Sequence, residues 1–229
     1  MQGEIENSRY SSGVLCIVST RPDLCPPWMG LEIAGEIIEL GAEVSRKSAW
    51  AVGDLVCALL GGGGYAEHVA VNYDMLMPIP RGLTMEEAFA LPEAYATSYL
   101  NLFLEGHLEA GQTAFIPAGA SGLASVAIPM AKAFGARVIT SVLSDEIAEK
   151  IRPLLTRGIH IVGSMLRNRA PSYKAYILSQ LVEHVWPKIE SGEIRPSIYR
   201  ILPMEQAQNA HGILERCENV GKVVLTMNH

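Results

Sequence analysis

The stretch "AFIPAGASGLASVAIPMAKAFGARVIT" (114–140) decides the fold class of this chain. It begins inside "TAFIPA" (113–118), an apolar run of strand length. A glycine-rich turn follows, and then residues 121–134, whose Ala, Ile and Met positions give a helix an apolar face. Gly135 stands where a helix C-terminus favours glycine, and "ARVIT" (136–140) predicts a second strand. Strand, turn, helix and strand make one βαβ unit, the minimal half of a doubly wound nucleotide-binding fold.

The turn reads Ala118-Gly119-Ala120-Ser121-Gly122-Leu123-Ala124. Gly119 suits a tight turn, Gly122 permits close approach, and Ala124 is small enough for helix–strand packing. Ser121 can cap the helix or bond a phosphate oxygen. The spacing is G-x-x-G rather than G-x-G-x-x-G, so these letters alone fit both a pyrophosphate cradle and a plain β–α connection. Neither G-x-S-x-G nor G-K-[ST] is present, which argues against a nucleophile elbow and a Walker A loop.

On the N-terminal side, "IAGEIIELG" (33–41), "DLVCALL" (54–60) and "YAEHVAV" (65–71) predict strands, closed by "PIPRG" (78–82). Short strands in series suggest a small barrel or sandwich. A helix is predicted from Thr84, which forms a capping-box pattern with Glu87, and Pro92 breaks or restarts it. On the C-terminal side, "GIHIVGS" (158–164) predicts a strand and residues 171–193 an amphipathic helix. "PMEQAQNAHGILERC" (203–217) predicts another helix, and "GKVVLTM" (221–227) a terminal strand. One βαβ unit and one late strand are few for a parallel nucleotide-binding sheet.

The whole chain of 229 residues, 49% hydrophobic and 18% charged, is globular in composition. Its net charge of −6 argues against a nucleic-acid partner. Glu4 and Glu6 stand where a signal peptide would be basic, and the apolar run 14–18 is too short to span a membrane. A cytoplasmic protein without a membrane partner is expected. Cys16, Cys25, Cys57 and Cys217 include no C-x-x-C pair, and the six histidines form no H-E-x-x-H, so no metal site is expected. Glu32 and Glu93 are candidate catalytic carboxylates, or hydrogen-bonded structural acids. "GGGGYAEH" (61–68) reads as a pocket edge or, more simply, a mobile hairpin turn. His68 alternates with apolar neighbours and reads as strand surface.

Taken in order, "MGLEIAGEIIELG", "VGDLVCALLGGGGYAEHVAV", "LMPIPRGLTMEEAFALPEAYATSY", "AGASGLASVAIPMAKAFGARVIT", "GSMLRNR" and "VGKVVL" resemble successive landmarks of one family. It is the zinc-independent quinone oxidoreductases of the medium-chain dehydrogenase/reductase superfamily. The resemblance covers residues 30–140 and 158–227. It implies an α/β chain, with a GroES-like β-rich substrate domain and a Rossmann-type parallel sheet inserted in it. The domains then fall at 1–92, 93–190 (cofactor) and 191–229 (the return to the substrate domain). The implied activity is NADPH-dependent reduction of a quinone or another small electrophile, usually in a dimer. Ser121, Gly122 and Leu123 would contact the pyrophosphate, Thr140 would lie near the adenosine ribose, and Asn219 would touch the cofactor. No committed acid–base residue is implied. Gly30-Leu31-Glu32 stands where zinc-dependent relatives carry Gly-His-Glu, and a leucine cannot ligate metal.

The chain departs from that family in length, by roughly 100 residues, about a small domain. Landmarks are missing before Gly30 and between Thr140 and Gly158, so the parallel sheet is expected to be truncated. Asp145 and Glu146 stand near the place of a basic residue for the 2′-phosphate and would repel it, which leaves NADH beside NADPH as cofactor. We read the chain as an internally shortened reductase with impaired turnover. The alternatives are a non-enzymatic form that pairs with full-length subunits, and a related enone or carbonyl reductase.

Overall fold

The computed structural model describes residues 14–19, 29–42, 44, 48–141 and 164–227. Five strands form the first sheet: β1 (Val14–Ser19), β2 (Glu32–Leu40), β3 (Leu55–Leu59), β4 (His68–Asn72) and β5 (Leu76–Pro78), in the order β4-β1-β2-β3-β5. β1 runs parallel to β2 and β4, while β3 is antiparallel to β2 and β5. Among the described residues, the expected barrel or sandwich shows as one mixed five-stranded sheet. β1 arises from the run 14–18, read in sequence only as too short for a membrane span.

Burial follows position in the sheet. β2 and β3 bury Ile33, Ala34, Ile37, Val56, Cys57 and Ala58 completely, as inner strands do. β4, at the edge, alternates exposed His68 and Ala70 with buried Val69 and Val71. That alternation places His68 on the strand surface, as its sequence context suggests.

The helices pack on this sheet. α1 (Met85–Phe89) starts in a complete capping box, in which Thr84 Oγ1 accepts the Glu87 N–H at 3.3 Å and Glu87 Oε2 accepts the Thr84 N–H at 2.9 Å. Replacing Thr84 by alanine is expected to lower stability by about 1 kcal/mol, read from the urea midpoint. α2 (Pro92–Tyr99) begins on Pro92, whose missing N–H costs nothing in a first turn, and runs into a π-helical turn at Leu100–Glu105.

Beyond it, β6 (Thr113–Ile116), α3 (Ala124–Ala133) and β7 (Arg137–Thr140) form the βαβ unit, with β6 and β7 parallel. Ile116, Ala124 and Ala127 make its small separate core. The helix starts three residues later than expected, because Ser121 stays in the turn and its Oγ accepts the Ala124 N–H at 3.1 Å. Phe115 and Ile139 are register partners on the opposite face of this two-stranded sheet, and both are exposed.

The long helix predicted over 171–193 is two helices, α4 (Pro171–His184) and α5 (Trp186–Glu190). Pro187 cannot donate within a continuous helix, so the chain breaks at Val185. Trp186 Nε1–H donates to the Pro78 carbonyl at 2.8 Å. Ile177, Leu178, Leu181, Trp186 and Ile189 join the same core as β2 and β3. A second parallel pair follows, β8 (Ile198–Pro203) and β9 (Lys222–Thr226), joined by α6 (Ala207–Glu215). β8 is absent from the sequence reading because "IYRILP" puts charge and proline among its apolar residues. The strand predicted over 158–164 lies almost wholly outside the described residues. Among the described residues no helix is long and apolar enough to cross a membrane.

Candidate functional site

A cleft of about 270 Å³ lies between the start of β2, the loop before β4, and β9. Leu31, Phe89, Met204, Val223, Leu225 and Met227 give it apolar walls. Four side chains supply its polarity: Glu32, Tyr65, Glu93 and Lys222.

Backbone contact shapes the floor. Gly30 has φ +97°, and a Cβ there would meet Gly64 Cα at 2.5 Å. Gly64 N–H donates to the Gly30 carbonyl at 3.0 Å and Tyr65 N–H to the Met29 carbonyl at 3.3 Å. The glycine run 61–64, read as a mobile hairpin turn, is therefore pinned to residues 29–30 at its C-terminal end, where Gly64 lines the cleft.

Glu32 organises the polar side. Its Oε1 pairs with Lys222 Nζ, and its Oε2 accepts the Glu93 N–H at 2.9 Å. Glu93 Oε1 accepts the Thr97 hydroxyl at 3.0 Å. The pair is largely sheltered, with side-chain exposures of 18% for Lys222 and 17% for Glu32. Burial alone would lower the Lys222 pKa, but Glu32, with Glu93 behind it, outweighs burial and holds the ammonium above its ordinary value. Of the two sequence alternatives for Glu32 and Glu93, the geometry matches the hydrogen-bonded acid.

Lys222 also reaches the glycine turn. A Cβ on Gly122 would lie 3.6 Å from Lys222 Cδ and 3.7 Å from the Gly221 carbonyl, so the turn and the cleft adjoin. At the turn, Gly119 N–H donates to the Ser141 carbonyl at 2.7 Å and Ser125 Oγ–H to the Gly122 carbonyl at 2.8 Å. A Cβ on Gly119 would collide with the Thr140 hydroxyl. The N–H groups of Gly122 and Leu123 have no acceptor among the described residues, and they open the N-terminal end of α3. Two backbone donors that meet no acceptor among the described residues, at a helix N-terminus, fit a pyrophosphate.

The remaining expected contacts are placed as follows. Thr140 Oγ1–H donates to the Ile116 carbonyl at 2.7 Å, so its hydroxyl ties β7 to β6. Asn219 Nδ2–H donates to the Gly221 carbonyl at 2.7 Å and shapes the turn that delivers Lys222. Asp145 and Glu146 lie outside the described residues. Sequence reasoning missed Lys222 and Tyr65, which line the cleft, and His211, which bonds Tyr65 from behind the lining. Tyr65 Oη and His211 Nε2 are hydrogen-bonded at 3.0 Å across 146 residues, which no local spacing could signal. Among the described residues no group of three or more His, Cys, Asp or Glu could hold a metal ion.

Residues 110–225 match the family described as zinc-binding dehydrogenase, and residues 11–81 match the alcohol dehydrogenase GroES-like domain. The chain belongs to the medium-chain dehydrogenase/reductase superfamily, an α/β fold of a GroES-like domain and a Rossmann-like domain. It is 41% identical over 122 residues to the quinone oxidoreductase-like protein 2 homolog of Nematostella vectensis, covering 52% of this chain and 32% of that protein. It is 36% identical over 143 residues to the squalestatin tetraketide synthase of Phoma sp., covering 62% of this chain and 5% of the synthase. Its match thus spans a minor part of either relative. The JamJ enoyl reductase in its apo form superimposes with a TM-score of 0.72 at 20% identity, over 87% of this chain and 79% of that one. The mycobacterial Rv1454c structure complexed with NADPH gives 0.71 at 20% identity, over 86% and 82%.

Proposed function

We propose that this chain carries the site of an NADPH-dependent reductase of quinones, in the pattern of the tumour-suppressor-inducible quinone oxidoreductase. The observation that carries the reading is the approach of the Lys222 stem to Gly122 together with its ion pair to Glu32, which sets a phosphate-type turn beside an apolar cleft. When bound, the dinucleotide supplies the hydride chemistry. The chain holds the diphosphate on the Gly122 and Leu123 N–H groups with Ser121 at the turn. It also excludes water from an electrophile between Phe89, Met204 and Leu225. NADH remains a second cofactor, tested alongside.

A related reduction of enones is favoured by one observation, the likeness in fold to an enoyl reductase. The impaired form that pairs with a full-length subunit is favoured by another, the exposed Phe115 and Ile139 on the two-stranded sheet β6–β7. A substrate panel separates the first, and co-purification with a full-length relative the second.

Calorimetric titration of the purified chain with NADPH, and with NADH as control, tests the reading. Micromolar affinity is expected. Gly122→Asp should weaken it at least about tenfold, since a carboxylate at the turn repels phosphate while its Cβ has room. Gly122→Ala is the steric control. No heat with a folded chain would overturn the reading.

A further inference from the structure

Reduction of a conjugated carbonyl needs a proton as well as a hydride, and the cleft has four polar side chains that could give one. Three are committed. Glu32 is ion-paired to Lys222 and accepts the Glu93 N–H; Glu93 accepts the Thr97 hydroxyl; the Lys222 ammonium is held by Glu32. The fourth, Tyr65, presents a phenol whose one hydrogen-bond partner among the described residues is His211 Nε2, at 3.0 Å. The rings lie 5.9 Å apart, tilted by 35°. The backbone that carries Tyr65 is fixed by its bond to Met29 and by the close approach of Gly64 to Gly30. His211 is carried by α6, whose residues lie outside the lining of the cleft.

We propose that Tyr65 and His211 form a dyad that grips the carbonyl oxygen of the electrophile and delivers the proton of the reduction. The proposal rests on the reductase reading above and commits the site to ligands with a conjugated carbonyl. In the resting dyad His211 Nε2–H donates to Tyr65 Oη, which leaves the phenolic hydrogen for the substrate oxygen. Were a bound dinucleotide to supply hydride to carbon, the C=O electron pair would move to that oxygen, directly or by relay through the conjugated C=C bond. The Tyr65 O–H bond breaks and a substrate O–H bond forms. The phenolate then takes the Nε2 proton of His211 as solvent protonates Nδ1, so that no imidazolate forms, and exchange with water returns the imidazole to its Nε2–H tautomer. Tyr65 is half-exposed and His211 half-buried, so the relay ends at water. Partial burial keeps the phenol above its ordinary pKa, so it stays a proton donor at neutral pH. The charged groups that share the cleft with it are Glu32, Glu93 and Lys222.

The test uses the full chain and cyclohex-2-enone labelled with ¹³C at the carbonyl, followed by NMR without cofactor. The carbonyl resonance of the bound ligand is expected downfield of the free one. The shift should vanish in Tyr65→Phe and shrink in His211→Asn, each checked for native folding by circular dichroism. No downfield shift in the wild type, or an unchanged one in a folded Tyr65→Phe, overturns the dyad even if NADPH binds. A carbonyl shift that behaves as expected while NADPH fails to bind upholds the grip on the carbonyl oxygen, but overturns both the proton delivery and the reductase reading. Where turnover is measurable, Tyr65→Phe should lower kcat about 100-fold with the KM for NADPH unchanged. An equal rise in that KM would mark a structural role and overturn the proposal.

Discussion

Replacing Glu32 by alanine is expected to destabilise the chain by about 2–4 kcal/mol, measured from urea unfolding at pH 7. The cost comes from what is left behind. Lys222 keeps a sheltered positive charge with no carboxylate, and the Glu93 N–H loses its acceptor. Glu32→Gln should cost less, since an amide oxygen can still accept one of the two bonds. The double substitution Glu32→Leu with Lys222→Met should recover much of the loss, because paired removal leaves no orphaned charge. A double variant as unstable as Glu32→Ala would show that cleft packing, rather than the ion pair, sets the cost. The pH dependence has a definite sign. Because the folded state holds the Lys222 pKa above its ordinary 10.5, the stabilisation is fully present below that pH. It is lost as pH rises past 10.5 through the raised value, so the gap between wild type and Lys222→Met should narrow only in strongly alkaline solution.

Gly30→Ala is expected to cost about 2–4 kcal/mol and to open the cleft floor. Two penalties add. A side chain at φ +97° is strained by about 1 kcal/mol, and its Cβ would overlap the backbone of Gly64, which has no flexible end to turn away. Gly53 supplies the internal control. Its φ is +93°, yet nothing lies within 4 Å of a Cβ there, so Gly53→Ala should show the strain alone. Equal losses at the two positions, read from thermal or urea unfolding, would remove the Gly30–Gly64 contact from the account. If the contact holds, Gly30→Ala should also weaken ligand binding in the cleft, because Gly64 and Tyr65 must shift together.

Elements that signal through near neighbours were the ones legible in the chain. The box of Thr84 and Glu87 spans three residues and forms as written. The strand–turn–helix–strand of 113–140 appears with parallel register Thr113↔Arg137, since apolar spacing and Gly135 set each piece locally. The errors have local causes too. Pro187 ended a helix that periodicity alone carried onward, and Arg200 inside β8 hid the partner of β9. The sequence left a barrel and a sandwich as alternatives for the first sheet, because alternation reports which face is buried, not how an edge ends.

The sequence by itself therefore determined the βαβ unit, the capped helix, the glycine turn with Ser121, Gly122 and Leu123, and the family resemblance that ordered them. Each depends on residues a few positions apart, where backbone hydrogen bonding and side-chain periodicity act. Only the tertiary structure decided that Lys222 meets Glu32 across 190 residues, that its stem rests by Gly122, and that Tyr65 meets His211. Those pairings depend on where the fold brings Lys222 of β9 and His211 of α6 relative to Glu32 and to Tyr65 on the pinned glycine loop. A lysine in "GKVVL" carries no local mark of the carboxylate it will find, because burial and Coulomb attraction select partners in space.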